Sequence, residues 1–230
     1  TDTELVSYAA WSLAQNPIKM FKATRRTLEA AFQIRQTNRR RGATPPPSPF
    51  RAPRTSLNQH LTAHRHLATA SLSLSAVKKV KNAFGVTVND VVLTLCGDAL
   101  RRYLEYQGEH PDRALVAMVP VSVRTEDKKG AMGNEVSSVL TTLATDIEDP
   151  QDRLLAVSAG MKMAKEQFKL IGADTLQNWT EFAAPAVLGR AARIYSRVHA
   201  ADIHRPAFNV TISNVHGPPF PLYVTGALVK

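Results

Sequence analysis

The sequence predicts an α/β fold, a two-layer α+β sandwich in which a mixed sheet packs with helices. Two observations support this class. Short runs in which apolar and polar residues alternate, typical of half-buried strands, recur along the chain. Longer segments with apolar residues at helical spacing lie between them, and 44% of the 230 residues are hydrophobic, as in an ordinary globular protein. The predicted strands are 68–74, 115–121, 136–143 and 208–212, and the predicted helices are 17–41, 75–84, 88–107, 151–170 and 174–199.

The first predicted helix is basic and amphipathic. Asn16-Pro17 is a helix start, because asparagine caps backbone amides and proline suits the first helical position. Apolar residues then recur on one face, and the helix should end near Gly42, after Arg39 to Arg41. We treat residues 1–43 as a basic helical connector.

A proline-rich stretch follows, with five prolines between residues 44 and 53. Proline fixes the backbone angle φ and removes a backbone donor, so this stretch is neither helix nor central strand. We assign residues 44–54 to an extended linker and residues 55–230 to one domain.

Beyond the linker, alternation over Ala68–Leu74 predicts a half-buried strand, and Ser75 is the expected cap of a short helix that ends at Gly85. Thr87 opens a longer helix that ends near Gly108, with Val88, Val91, Val92, Leu95 and Ala99 on its apolar face. The strand at 115–121, the strand at 136–143, the two helices at 151–199 and the strand at 208–212 complete the order. Pro185 is expected to bend or break the last helix.

The net charge of +10 is concentrated near the N-terminus. Residues 1–65 contain eleven Lys and Arg against three Asp and Glu. This balance suggests an anionic partner: nucleic acid, a phospholipid surface or a phosphate-bearing co-substrate. No apolar run is long enough for a membrane span, and the first residues lack the pattern of a secretory signal, so we expect a cytoplasmic location.

Neither histidines nor Cys96 form a recognisable reaction centre. His64 and His66 would share a face of a strand, but no Cys, Asp or Glu between residues 57 and 76 completes a ligand set. The sequence therefore predicts no metal site. His216 is a conceivable base, but no neighbour in sequence orients it.

Two local patterns are better candidates. Thr87-Val88-Asn89-Asp90 matches a capping box, in which Thr87 and Asp90 exchange hydrogen bonds at a helix start. Taken alone, this pattern favours a structural role. Ser213-Asn214 follows a strand and enters a turn at Gly217; strand ends often carry substrate contacts, although these side chains also commonly satisfy turn backbone groups.

Taken in order, these segments resemble the wax ester synthase/diacylglycerol acyltransferase family. Thr87 to Leu93 is similar to its "ND" region. Val119 to Arg124 and Met132-Gly133-Asn134 are similar to its next two blocks, and Ser213 to Pro218 to its S-N-V-x-G-P block. Pro53 to Asn58 resembles the approach to the "ND" region, and His216 stands where the family commonly has proline.

The resemblance implies a chloramphenicol acetyltransferase-like fold of two lobes. It implies a general-base histidine in an H-H-x-x-x-D-G motif of the first lobe, which deprotonates an acceptor hydroxyl so that it attacks an acyl-CoA thioester. The sequence contains no such motif. We therefore expect the chain to be the second lobe, trimmed at both ends, with residues 1–43 joining it to a first lobe that is its main partner.

In that setting, the resemblance assigns this lobe one wall of the substrate channel. No residue of the chain is expected to be catalytic. The residues expected to line or brace the channel are Asn89, Asp90, Arg124, Asn134, Ser213, Asn214 and Gly217. Acyl-CoA is the expected co-substrate, diacylglycerol or a long-chain alcohol the acceptor, and no bound cofactor is expected.

Three alternatives remain open at this stage. The helix at 17–41 either docks on an anionic membrane or lipid droplet, which would make the protein peripheral, or packs as a connector with its arginines in solvent. The chain is either part of an enzyme or a non-catalytic scaffold lobe. A nucleic-acid-binding module is disfavoured, because no aromatic residue interleaves Arg39 to Arg41 as a stacking platform.

Overall fold

The computed structural model describes residues 46–59, 64–122, 136–171, 193, 197, 204–215, 217 and 220–228. In chain order they form a short 3-10 helix at Ser56–Asn58, α1 (Leu74–Phe84), α2 (Val88–Tyr106), β1 (Val116–Ser122), β2 (Val136–Thr142), α3 (Pro150–Ile171), β3 (Val210–Thr211), β4 (Tyr223–Val224) and β5 (Ala227–Leu228). The predicted mixed sheet packed with helices is confirmed. The basic helix at 17–41 lies outside the described residues, as does the helix at 174–199 apart from positions 193 and 197.

The main sheet has the strand order β2-β1-β3. β1 pairs antiparallel with β2, from Val116 opposite Thr142 to Ser122 opposite Val136. β1 pairs parallel with β3, where Ala117 lies opposite Val210. The end of β1, the start of β2 and the chain that leaves β3 are therefore directed to one edge of the sheet, which we call the front edge.

The main core is formed by the sheet together with α2 and α3. Leu93, Leu115, Ala117, Leu143 and Val157 are all fully buried. α2 approaches the end of β2 so closely that a Cβ added at Gly97 would lie 2.9 Å from the backbone oxygen of Leu143. Glycine is needed at this position because the neighbouring atom belongs to the backbone and has little freedom to move.

The start of α2 confirms the predicted capping box. The Thr87 hydroxyl accepts a hydrogen bond from the Asp90 amide at 3.2 Å, and the Asp90 carboxylate accepts one from the Thr87 amide at 2.9 Å. The predicted end of the preceding helix is also correct: Gly85 adopts a left-handed φ of 65° after Phe84.

Two predictions in this region are wrong. Residues 64–73 are exposed and form no strand, and Ser73, not Ser75, caps α1 by accepting a hydrogen bond from the Ala76 amide. The alternating pattern predicts a strand at 68–74, but no strand within the described residues pairs with this segment. Because Ser73 initiates a helix, Leu74 becomes the first residue of α1 instead of the last of a strand.

The predicted apolar face of α2 is correct at Val91, which is buried, and at Val88 and Val92, which are half-buried, but wrong further along the helix. Leu95 is 43% exposed and Ala99 is exposed, whereas Leu93, Gly97 and Leu104 are buried. The periodicity marked the most apolar stripe of the helix. The packed face is instead the one whose small residue, Gly97, allows close approach to the sheet.

The remaining segments differ from one another in burial. Residues 46–55 form neither helix nor strand, yet Ala52 and Pro53 are buried, so the end of the proline-rich stretch packs into the fold. β4 and β5 form an exposed hairpin. Within the described residues no single helix is long and apolar enough to cross a membrane, although α1 and α2, bent at 105°, reach that length and composition as a pair.

Candidate functional site

The front edge presents polar side chains that have no hydrogen-bond partner among the residues that the structure describes. Ser213 and Asn214 follow β3 and are exposed, and within the described part of the chain their side chains form no hydrogen bond. His216, Pro218 and Pro219 of the following turn lie outside the described residues, so the interpretation that these side chains satisfy turn backbone groups stays open beside the functional one. A hydroxyl and a carboxamide held at a strand end can donate hydrogen bonds to a ligand and accept them from it.

Gly217 lies beyond them and is also exposed. A Cβ added there would meet no atom within 4 Å, and its φ is not in the left-handed region. Neither packing nor backbone conformation requires glycine at this position. His216, between Asn214 and Gly217 in sequence, lies outside the described residues.

The position of β3, and so of Ser213 and Asn214, is fixed by a buried asparagine. Asn209 is 5% exposed and precedes β3. Its side-chain Oδ1 accepts a hydrogen bond from the Val116 backbone amide at 2.9 Å, and its backbone amide donates to the Val116 backbone oxygen at 2.8 Å. These two bonds join the beginnings of β1 and β3 and set their parallel register.

The same side chain connects the sheet to the segment after the proline-rich stretch. Asn209 Nδ2 donates to the Pro53 oxygen at 2.8 Å and to Asn58 Oδ1 at 2.7 Å. Asn58 Nδ2 in turn donates to the backbone oxygens of Phe208 at 3.2 Å and of Asn209 at 3.3 Å. We call Pro53, Asn58, Val116 and Asn209 the asparagine clip.

Sequence reasoning missed the function of Asn209, because the strand pattern placed it on the polar face beside Thr211 and Ser213. Its partners lie 93 to 156 residues away. The only signal available was a second asparagine, Asn58, in a segment that resembles a family block.

Asp90 and Asn89 occupy the first turn of α2 but differ in environment. Asp90 is 3% exposed, and its carboxylate also accepts a hydrogen bond from the Ser158 hydroxyl of α3 at 3.1 Å. Asp90 thus braces two helices. Because its negative charge already lies at the helix start, this end of α2 is a poor site for a phosphate or an oxyanion. Asn89 is half-buried, and within the described residues its side chain forms no hydrogen bond.

The two other predicted channel residues, Arg124 and Asn134, lie outside the described residues. In sequence they fall between Ser122, which ends β1, and Val136, which begins β2. Both strand ends belong to the front edge, where Ser213 and Asn214 also lie. That Arg124 and Asn134 line the same channel as Ser213 and Asn214 therefore stays a prediction, and the sheet topology is consistent with it.

A second buried polar group, unforeseen from the sequence, joins α2 to α3. The Arg153 side chain is 1% exposed and donates to the Asp98 carboxylate and to the backbone oxygens of Ile147 and Glu148. Burial raises the pKa of Asp98, but hydrogen bonds from Arg102 and Arg153 outweigh it, so the pKa lies below its usual value. This carboxylate is ionised and structural.

Nucleophilic and metal chemistry receive no support from the described side chains. Cys96 is half-buried and burial raises the pKa of its thiol, which is the opposite of an activated thiolate. No group of three or more His, Cys, Asp and Glu side chains able to hold a metal ion occurs among the described residues. The absence of a metal and of a bound cofactor stays a prediction.

Comparisons with known proteins identify two domains of one family. Residues 2–92 match the wax ester synthase/diacylglycerol acyltransferase catalytic domain, and residues 132–230 match the C-terminal domain of the same family. These matches do not test the predicted division at residues 43 and 54, which stays a prediction.

Individual relatives agree with this assignment. Tgs2 of Mycobacterium tuberculosis, named for diacylglycerol O-acyltransferase activity, is 41% identical over 181 residues, 76% of this chain and 37% of the relative. O-acyltransferase WSD of Acinetobacter baylyi is 36% identical over 181 residues, 78% of this chain and 38% of the relative. The chain spans less than two fifths of the length of these relatives.

A solved structure supports the fold. The wax ester synthase/diacylglycerol acyltransferase of Marinobacter aquaeolei VT8 superposes with a TM-score of 0.59 at 33% identity, covering 89% of this chain and 43% of that one. This match confirms the predicted fold class.

Proposed function

The chain belongs to the wax ester synthase/diacylglycerol acyltransferase family, and we propose that it forms one wall of an acyl-CoA-dependent O-acyltransferase. The reaction moves a long-chain acyl group from acyl-CoA to the hydroxyl of diacylglycerol or of a long-chain alcohol. The general base is a histidine of an H-H-x-x-x-D-G motif, which this sequence does not contain. That histidine belongs to the partner lobe.

One observation carries the proposal: Ser213 and Asn214 are exposed, and their side chains bond to none of the described residues, at the end of a strand that the buried asparagine clip holds in place. Pantetheine contains two amides, and each offers one donor and one acceptor. A hydroxyl and a carboxamide on a fixed strand end are suited to bind such a group without reorganisation.

The chemistry divides between the two lobes. The partner lobe's histidine takes the proton of the acceptor hydroxyl, the oxygen attacks the thioester carbonyl, and the CoA thiolate leaves as the ester forms. In this scheme Ser213 and Asn214 hold the acyl-CoA so that its carbonyl lies within reach of the attacking oxygen. Orientation of this kind supplies a large part of a catalysed rate.

A chimera tests the proposal. The matching region of Acinetobacter baylyi O-acyltransferase WSD is replaced by this chain, and CoA release is measured with palmitoyl-CoA and either diacylglycerol or hexadecanol. We expect the chimera to release CoA and the 230-residue chain alone to release none. A chimera that folds, as judged by its melting transition, and still consumes no thioester would favour the non-catalytic scaffold lobe.

We also propose that the protein is cytoplasmic and binds a membrane or lipid droplet peripherally through residues 17–41. The support is the excess of eleven basic over three acidic residues between positions 1 and 65. Flotation with phosphatidylglycerol vesicles, compared with phosphatidylcholine vesicles, tests this. If equal amounts of the protein float with both vesicle types, residues 17–41 do not bind an anionic surface, and the interpretation of this segment as a connector is favoured.

A further inference from the structure

β3 is too short for its own pairing to hold it firmly. It consists of two residues, Val210–Thr211, and pairs with β1 at two positions. Strands usually have more residues than this, and parallel pairing is slightly less stable per residue than antiparallel pairing. At its two ends, the Asn209 amide donates to the Val116 oxygen at 2.8 Å and the Ile212 amide donates to the Met118 oxygen at 3.0 Å. The placement of the residues after β3 therefore depends strongly on contacts made from outside the sheet.

Asn58 supplies such a contact at the beginning of β3. Its Nδ2 donates to the backbone oxygens of Phe208 at 3.2 Å and of Asn209 at 3.3 Å, and its Oδ1 accepts from Asn209 Nδ2 at 2.7 Å. One side chain thus binds two consecutive peptide oxygens, which fixes the orientation of two peptide planes and so the rotation of the strand about its axis. Asn58 lies in the region that matches the catalytic domain, and Asn209 lies in the region that matches the C-terminal domain. The contact therefore joins the two family domains.

The rotation of β3 decides which side chains reach the front edge. Val210 and Ile212 are half-buried and pack against the core, whereas Thr211 and Ser213 are exposed. Successive side chains of a strand point to opposite faces, so a slip of one residue would turn Ser213 towards the core and Ile212 away from it. Only two half-buried apolar side chains oppose such a slip, and the bonds from Asn58 oppose it as well.

We propose that Asn58 is a positioning residue for acyl-CoA binding and that it acts through Ser213 and Asn214. It holds β3 in the rotation that presents these two side chains at the front edge. The inference rests on the role proposed above for Ser213 and Asn214. It extends that site to a residue of the other family domain, 151 positions away from Asn209 in the sequence.

Steady-state kinetics of the Acinetobacter baylyi chimera test this role with Asn58→Ala and Asn58→Asp. The aspartate keeps an oxygen that can accept from Asn209 Nδ2, but when ionised it has no hydrogen to donate to the Phe208 and Asn209 oxygens. We expect each variant to raise the KM for palmitoyl-CoA about threefold or more, with kcat changed less than about twofold. A merely structural loss would lower the amount of active protein, and so kcat, and would leave KM unchanged.

Asp98→Asn is the control for lost stability. It weakens the contact between α2 and α3 and bonds to no residue of the asparagine clip. The KM of this variant should equal that of the parent chimera when all proteins are assayed below their melting transitions. An equal rise of KM in Asp98→Asn and Asn58→Ala would overturn the positioning role.

A triple variant shows whether Asn58 acts through the strand end. In a chimera that already carries Ser213→Ala and Asn214→Ala, adding Asn58→Ala should change the KM by less than about twofold, because the groups that it positions are gone. If Asn58→Ala leaves KM unchanged in the parent chimera, or raises it by the same factor in both backgrounds, the positioning role is overturned while the role of Ser213 and Asn214 stands. If the Ser213→Ala, Asn214→Ala chimera itself keeps the parent kcat/KM, the proposed site is wrong and the inference with it.

Discussion

Asn209 is the single residue on which most of the sheet geometry depends. Asn209→Ala leaves the Val116 amide, the Pro53 oxygen and Asn58 Oδ1 without the partners that the Asn209 side chain supplies, in a largely buried region. Each unsatisfied buried group costs about 1–3 kcal/mol, so we expect the free energy of unfolding to fall by about 3 kcal/mol. Urea unfolding measures this loss. Asn214→Ala is the control, since the loss of an exposed side chain should change the free energy of unfolding by no more than about 0.5 kcal/mol.

Ser213 and Asn214 should have the opposite profile, with activity lost and stability kept. In the chimera described above, Ser213→Ala and Asn214→Ala should each raise the KM for acyl-CoA about tenfold, because one hydrogen bond to the substrate is worth roughly 1.4 kcal/mol. Steady-state kinetics at several acyl-CoA concentrations give the KM. Unchanged kcat/KM in both variants would remove these residues from the substrate channel.

Residue roles were predictable where the contacts are local. Thr87 and Asp90 are three positions apart, and the capping box between them followed directly from the sequence. The partners of Asn209 and Arg153 lie up to 156 and 55 residues away, and nothing in the neighbouring sequence encodes such pairings. Ser213 and Asn214 were found because they follow a recognisable strand, but their exposure is visible only in the structure.

At the scale of elements, the contact between α2 and β2 depends on Gly97. Gly97→Ala would bring a Cβ to 2.9 Å from the Leu143 oxygen, so the helix must move away from the sheet. We expect a loss of about 2 kcal/mol despite the better helix propensity of alanine. Differential scanning calorimetry tests this, with Gly217→Ala as the control for a glycine that has open space. If Gly97→Ala and Gly217→Ala have the same melting temperature, the close approach of α2 to the end of β2 does not determine the stability.

The connection between α2 and α3 should be sensitive to acid. The pKa of Asp98 is lower in the folded protein than its ordinary value of about 3.9. The stabilisation that the ionised Asp98 carboxylate provides is therefore fully present when the pH is above that ordinary pKa, and it is lost as the pH falls through the lower pKa of the folded protein. Asp98→Asn should be less stable than the parent at pH 7, and the difference should narrow below about pH 4.

Urea midpoints of the parent and Asp98→Asn between pH 7 and pH 2.5 measure this difference. Asp112, an exposed partner of Arg113, provides the comparison through Asp112→Asn. A gap between parent and Asp98→Asn that stays constant with pH would mean that the carboxylate contributes nothing as an ion.

The bounds of the helices and strands were predicted well where capping or turn residues occur at the ends of a periodic segment. β1, β2 and α3 lie within one or two residues of their predicted bounds, and α2 ends at Tyr106, close to Gly108. The prediction of a strand at 68–74 is wrong because alternation shows only which residues could face a core. A strand also needs a neighbour to pair with, and the described residues contain none for this segment. The predicted face of α2 is correct at Val91 but wrong at Leu95 and Ala99, because close packing of the later turns places Gly97 against the sheet.

For the whole molecule, the question is whether the proline-rich stretch separates two units or ends inside one. The asparagine clip ties Pro53 and Asn58 to the main sheet, and Ala52 is fully buried. We therefore predict that a chain of residues 60–230 is less stable than one of residues 46–230 by about 3 kcal/mol, because removing the segment leaves Asn209 Nδ2 and the Phe208 oxygen without the partners that Pro53 and Asn58 supply.

A thermodynamic cycle separates the clip from other effects of truncation. Asn209→Ala should cost about 3 kcal/mol in the chain of residues 46–230 but only about 1 kcal/mol in the shorter chain, where the hydrogen bond from the Val116 amide is what remains to be lost. Urea unfolding of the four proteins measures all sides of the cycle. Additive losses would mean that residues 46–59 and Asn209 stabilise the fold independently, and the stretch would then act as a spacer beside the domain. Non-additive losses would extend the folded unit backwards into the proline-rich stretch, whose last residues would then help to hold the beginnings of β1 and β3 together.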